Sequence, residues 1–117
     1  MSDTTSIDWR ARAAALRPRE GLFIDGQFRP AASGATFDKV SPIDGRVLAK
    51  VAAGDAADVD AAVQSARRAF ERGEWAAMPP RERKTVLLRF SDAIRAHREE
   101  LALTETLDMG KPIGDSL

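Results

Sequence analysis

Few side chains in this 117-residue chain are of a type that does covalent chemistry, and their setting decides what they can do. Ser116 stands in the closing tetrapeptide Gly114-Asp115-Ser116-Leu117, and His97 is the single histidine. A serine nucleophile needs a histidine base, a carboxylate to orient that histidine and backbone donors for the oxyanion. His97 lies among Arg95, Arg98, Glu99 and Glu100, the surroundings of a solvated helix end rather than of a base or a metal ligand. Ser116 suits the start of a helix. Cysteine is absent, which removes disulfides, thiolate metal sites and thiol catalysis together. The glycines at 21, 26, 34, 45, 54, 73, 110 and 114 are scattered, and no phosphate-cradling pattern can be drawn through them. No catalytic or cofactor-binding residue is assigned within the chain.

Composition narrows the partners. Eighteen basic residues balance eighteen acidic ones, so no net field draws the chain to nucleic acid or an anionic membrane. The run Arg81-Glu82-Arg83-Lys84 reads as an ordinary helix surface because a glutamate interrupts it. No apolar run reaches membrane-spanning length, and the first residues lack the basic and apolar regions of a secretory signal. A cytoplasmic location is the expectation. At 12.7 kDa and 44% hydrophobic, the chain is one modest domain or part of one.

Short elements must position these residues. Ser6 is a candidate cap for a helical arm with Trp9, Ala13 and Leu16 on one side, which Pro18 stops. From Gly21 the period changes. Leu22 to Ile24, the Asp25-Gly26 turn and Gln27-Phe28 read as a hairpin. Thr36 to Val40, the turn Ser41 to Gly45 and Val47 to Val51 supply two more strands, and all of them together suggest a small antiparallel meander. Asp55 caps a helix whose Val59, Ala62, Val63, Ala66 and Phe70 form an apolar stripe, with Asp58 favoured by the helix dipole. Gly73 ends it. Phe70 and Trp75 read as core or interface anchors. Pro79-Pro80 opens a helical stretch carrying Leu87, Phe90, Ile94 and Leu101, with a break around residues 97–99 and a stop at Gly110. Pro112 begins a further helix, and its interruption within the first turn gives the expectation that the sequence continues.

As an ordered set, four stretches resemble the N-terminal region of the aldehyde dehydrogenase superfamily. They are LFIDGQF (22–28), TFDKVSPIDGRVLAKVAAGDAADVDAAVQSARRAFERGEW (36–75), PPRERKTVLLRFSDAI (79–94) and EELALTETLDMGKPI (99–113). The arm and the ending ETLDMGKPIGDSL are most similar to the subgroup acting on gamma-glutamyl-gamma-aminobutyraldehyde in putrescine breakdown. The resemblance implies an α/β fold seen only in its N-terminal part: a helical arm, short antiparallel strands, then two or three helices. Residues 1–20 would be the arm, and 21–117 an incomplete part of the cofactor-binding and bridging region. In that family a cysteine attacks the aldehyde, hydride passes to NAD or NADP, and a glutamate activates water to release the carboxylate. Those groups lie downstream, so the 117-residue chain alone is expected to be inactive. The resemblance also implies a homo-oligomer when complete, and a monovalent cation held by Asp108 with the main-chain carbonyls of Lys39 or Val40. Two other readings stand beside it. One is a non-catalytic interaction module derived from the same family. The other is a GDSL-type esterase on Ser116, which lacks that family's early placement of the motif.

Overall fold

A computed structural model describes residues 7–117, and its first element already departs from the expected cap. Helix α1 spans Trp9–Ala15, and the Asp8 carboxylate accepts from the Ala11 N–H at 3.0 Å. Ser6 lies outside the described residues. Leu16 turns to extended backbone at the helix end, ahead of Pro18. Strands β1 (Leu22–Ile24) and β2 (Gln27–Arg29) form a hairpin with Phe23 opposite Phe28. Its turn needs two residues in the left-handed region, and Asp25 (φ 57°) and Gly26 (φ 77°) supply them. The outward rings of Phe23 and Phe28 lie 4.9 Å apart, while Ile24 is buried.

Strands β3 (Thr36–Val40) and β4 (Val47–Ala52) make a second hairpin, whose register shifts at the Lys39–Val40 step. The two hairpins are separate two-stranded sheets, and the expected meander does not form. The reason lies in residues 30–35. Pro30 has no N–H to give a ladder, Ala31 is buried, and the Ala32 N–H is taken by Asp58 at 3.0 and 3.2 Å from its two oxygens. At the hairpin bases the backbone bonds are single: Ala52 N–H donates to the Glu20 carbonyl and Ala53 N–H to the Ala35 carbonyl, each 2.8 Å.

Helix α2 (Ala56–Arg72) starts with a reciprocal cap, since Asp55 accepts from Ala57 N–H and Asp58 accepts from Asp55 N–H. Its apolar stripe keeps helical spacing but faces outward: Val59 and Val63 are exposed, and Phe70 is 75% exposed. Of the expected core or interface anchors, Phe70 and Trp75 are exposed, so neither belongs to the core. The side of α2 that packs toward β1 carries Asp58 and Ser65, whose hydroxyl donates to Asp25 at 2.8 Å. A single-turn α3 (Glu74–Ala77) follows Gly73. Helix α4 (Pro80–Ala96) opens on a proline at its first position, where the missing N–H costs nothing. The chain breaks at His97, and α5 (Arg98–Met109) ends at Gly110 in the left-handed conformation. Pro112 then leads the one-turn α6 (Ile113–Ser116).

Among the described residues the buried apolar set is small: Ile24, Ala31, Ala49, Ala52, Ala102 and Leu103, four of them alanines. The molecule is a slab of 54 × 41 × 19 Å. Leu87, Phe90 and Ile94 of α4 and Phe37 and Val47 of the second hairpin remain exposed on it.

Candidate functional site

The residues expected to hold a cation meet at one corner, where α5 ends against the β3–β4 turn. Gly110 has φ 78°, and a Cβ built on it would lie 3.3 Å from Pro42 Cγ, so glycine allows both the helix stop and the close approach. The turn is rigidly wired. Ser41 N–H donates to the Arg46 carbonyl at 2.8 Å, Gly45 N–H donates to the Ser41 carbonyl at 2.9 Å, and buried Ser41 Oγ accepts from Ile43 N–H at 3.2 Å. Asp44 accepts from Arg46 N–H at 3.2 Å. That bond, then the Ser41 hydroxyl, hold the Asp44 carboxyl below its ordinary value.

Lys39 leaves the register shift and reaches α5. Its Nζ lies 2.7 Å from Asp108 Oδ1 and donates to the Asp108 carbonyl at 3.0 Å. Asp108 and Lys39 are thus brought together through the lysine side chain, with Val40 as the adjoining strand residue. A carboxylate and a helix-end carbonyl converging on one position suit a single positive charge, and the ammonium stands there. Among the described residues no cluster of three or more His, Asp or Glu side chains is arranged to hold a metal ion. Beside the corner, α1, the second hairpin and α5 enclose a largely apolar cleft of about 750 Å³ lined by residues including Leu16, Phe37, Leu48, Leu101 and Leu107.

The alternative chemistry does not assemble. Ser116 shares a 3.1 Å hydrogen bond with Thr106, and His97 Nδ1 faces Glu100 at 3.5 Å. Among the described residues, no hydrogen bond joins His97 to Ser116. Asp58 is the polar residue whose weight sequence reasoning underestimated. The Asp55-x-x-Asp58 spacing marks a cap, but nothing local signals that the same carboxylate also receives Ala32 N–H from 26 residues away.

Comparison with known proteins bears on most of the chain. Residues 28–117 match the model of the aldehyde dehydrogenase family. An NADP/NAD-dependent aldehyde dehydrogenase of Escherichia coli is 47% identical over 109 residues, covering 93% of this chain and 22% of that protein. Aminoacetaldehyde dehydrogenase of Pseudomonas aeruginosa is 51% identical over 106 residues, 91% of this chain and 21% of its own length. The crystal structure of gamma-glutamyl-gamma-aminobutyraldehyde dehydrogenase from Burkholderia cenocepacia is similar at a TM-score of 0.90 and 60% identity, over 93% of this chain and 22% of that one. An indole-3-acetaldehyde dehydrogenase from Pseudomonas syringae, solved with NAD+, gives 0.90 and 54% over the same shares. The chain spans about a fifth of the length of the relatives it matches, 22% and 21% of the two enzymes above.

Proposed function

The chain belongs to the aldehyde dehydrogenase family, and from that premise we propose that it is the N-terminal portion of an NAD(P)-dependent enzyme oxidising an aldehyde to its carboxylate. The observation that carries this reading is the match of fold and sequence to 22% of a longer dehydrogenase, at a TM-score of 0.90 and 60% identity. The open apolar faces agree with it, because a segment built inside a larger enzyme buries those faces against the rest of that enzyme. The substrate class follows the same neighbour: gamma-glutamyl-gamma-aminobutyraldehyde, an intermediate of putrescine catabolism. Residues 1–20 serve as a helical arm and 21–117 as an incomplete part of the cofactor-binding and bridging region of a cytoplasmic homo-oligomer. No membrane or nucleic acid enters its function. Among the described residues no helix is long and apolar enough to cross a membrane.

This chain's own contribution is scaffolding. It has no cysteine to attack an aldehyde and no phosphate-binding loop to hold a dinucleotide, so no chemical step is assigned to its residues. A dinucleotide supplies the hydride acceptor when bound to the complete enzyme. Asp108, Lys39 and Val40, the positions expected to hold a monovalent cation, lie at the corner where the Lys39 ammonium meets Asp108. A grafting experiment tests the reading. Residues 21–117 replace the matching segment of the Burkholderia cenocepacia enzyme, and aldehyde-dependent NAD(P)H formation is followed. An active chimera is expected. A soluble but inactive one favours the second reading, a non-catalytic interaction module using the same open faces.

A further inference from the structure

We propose that the Lys39 ammonium is a tethered counter-cation for the C-terminus of α5, filling from within the chain the place otherwise taken by a soluble monovalent ion. The need for a positive charge arises in α5 itself. Its aligned peptide dipoles leave negative partial charge at the last turn, where the final carbonyls have no intrahelical donors. Asp108 adds a formal negative charge to that turn, which carries no basic residue of its own. Negative charge at a helix C-terminus is unfavourable unless a cation answers it. The cation comes from 69 residues away: Lys39 Nζ stands 2.7 Å from Asp108 Oδ1 and donates to the Asp108 carbonyl at 3.0 Å.

One ammonium thus satisfies the carboxylate and an orphan carbonyl together. The lysine side chain is only 32% exposed although the Asp108 side chain is 61% exposed, so the stem is covered while the acceptor stays open to the medium. The Gly110–Pro42 approach fixes the distance between the two elements, which keeps the ammonium at high effective concentration beside its acceptors. A soluble ion must displace that tethered charge. The unmodified chain is therefore indifferent to potassium at this corner, and removing the ammonium opens the corner to it. This inference concerns charge balance alone, and its test contains neither aldehyde nor dinucleotide.

Thallium(I) serves as a spectroscopic stand-in for potassium. It is titrated into the 117-residue chain, Lys39→Met and the double variant Lys39→Met/Asp108→Asn at constant ionic strength, with the thallium resonance as readout. The expected result is no saturable shift with the unmodified chain, a saturable shift with Lys39→Met, and its loss in the double variant. Saturable binding by the unmodified chain, or none by a folded Lys39→Met, overturns the proposal. Should Lys39→Met fail to fold, the unmodified chain decides. A Lys39 ammonium resonance protected from solvent exchange and unchanged by thallium supports the tethered charge, and loss of that resonance on adding thallium refutes it.

Discussion

Asp58 is 3% exposed and has no basic partner among the described residues, so its carboxylate depends on backbone donors. It receives Ala32 N–H on both oxygens and Asp55 N–H on one. Asp58→Ala leaves both amides without this acceptor, a loss of about 1–3 kcal/mol for each group that stays buried. The measurement is amide exchange, with Ala32 expected to exchange about ten-fold faster or more. Unchanged protection of Ala32 would show that the carboxylate is not its essential acceptor. Asp44 behaves differently because it sits in the open, solvated turn. Arg46 N–H, then the Ser41 hydroxyl, lower its pKa in the folded chain from the ordinary 3.8. A depressed carboxyl stabilises the fold above its unfolded pKa, and that contribution is lost as pH falls through the folded value. A carboxyl NMR titration is expected to place Asp44 below 3.8, and Ser41→Ala to move it back toward that value.

At the scale of elements, the α5 terminus depends on one backbone conformation. Gly110→Ala puts a Cβ at φ 78° and 3.3 Å from Pro42, so the cost is about 1 kcal/mol plus any shift of the turn. The expected outcome is faster exchange confined to the end of α5 and the 41–46 turn, while the first hairpin is unaffected. Equal change in both hairpins would mean that the corner is not an independent unit. Most element boundaries were legible in the sequence, since Asp25-Gly26, Asp55, Gly73, Pro80 and Gly110 each act through local chemistry. The meander that the strands suggested does not form, and its absence was not legible, because what prevents it is a bond from Ala32 to a residue in a later helix. The orientation of α2 was equally hidden. A 3.6-residue stripe shows that Val59, Val63 and Phe70 share a side, but not which side the molecule covers. The cation corner was legible as a set of residues, while the lysine bridge within it depends on the approach of α5 to the turn.

For the whole molecule, surface area is the informative quantity. The chain exposes 9291 Å². A compact monomer of this mass exposes roughly 6,200 Å². Its radius of gyration is 18.3 Å, against about 13 Å for a compact domain of similar length. The excess of roughly 3,000 Å² on this one chain is well above the roughly 800 Å² that each partner contributes to a standard-size interface. Isolated, the 117-residue chain is expected to bind a hydrophobic dye and to self-associate with concentration, which light scattering checks. A dye-silent monomer would mean that these faces are not built for burial. The extent of the natural polypeptide bears most directly on the proposal that this is the leading part of a dehydrogenase. The measurement is the intact mass of the endogenous product, captured with an antibody against residues 21–117. A species several times 12.7 kDa is the expected result, and a stable product of 12.7 kDa would contradict it.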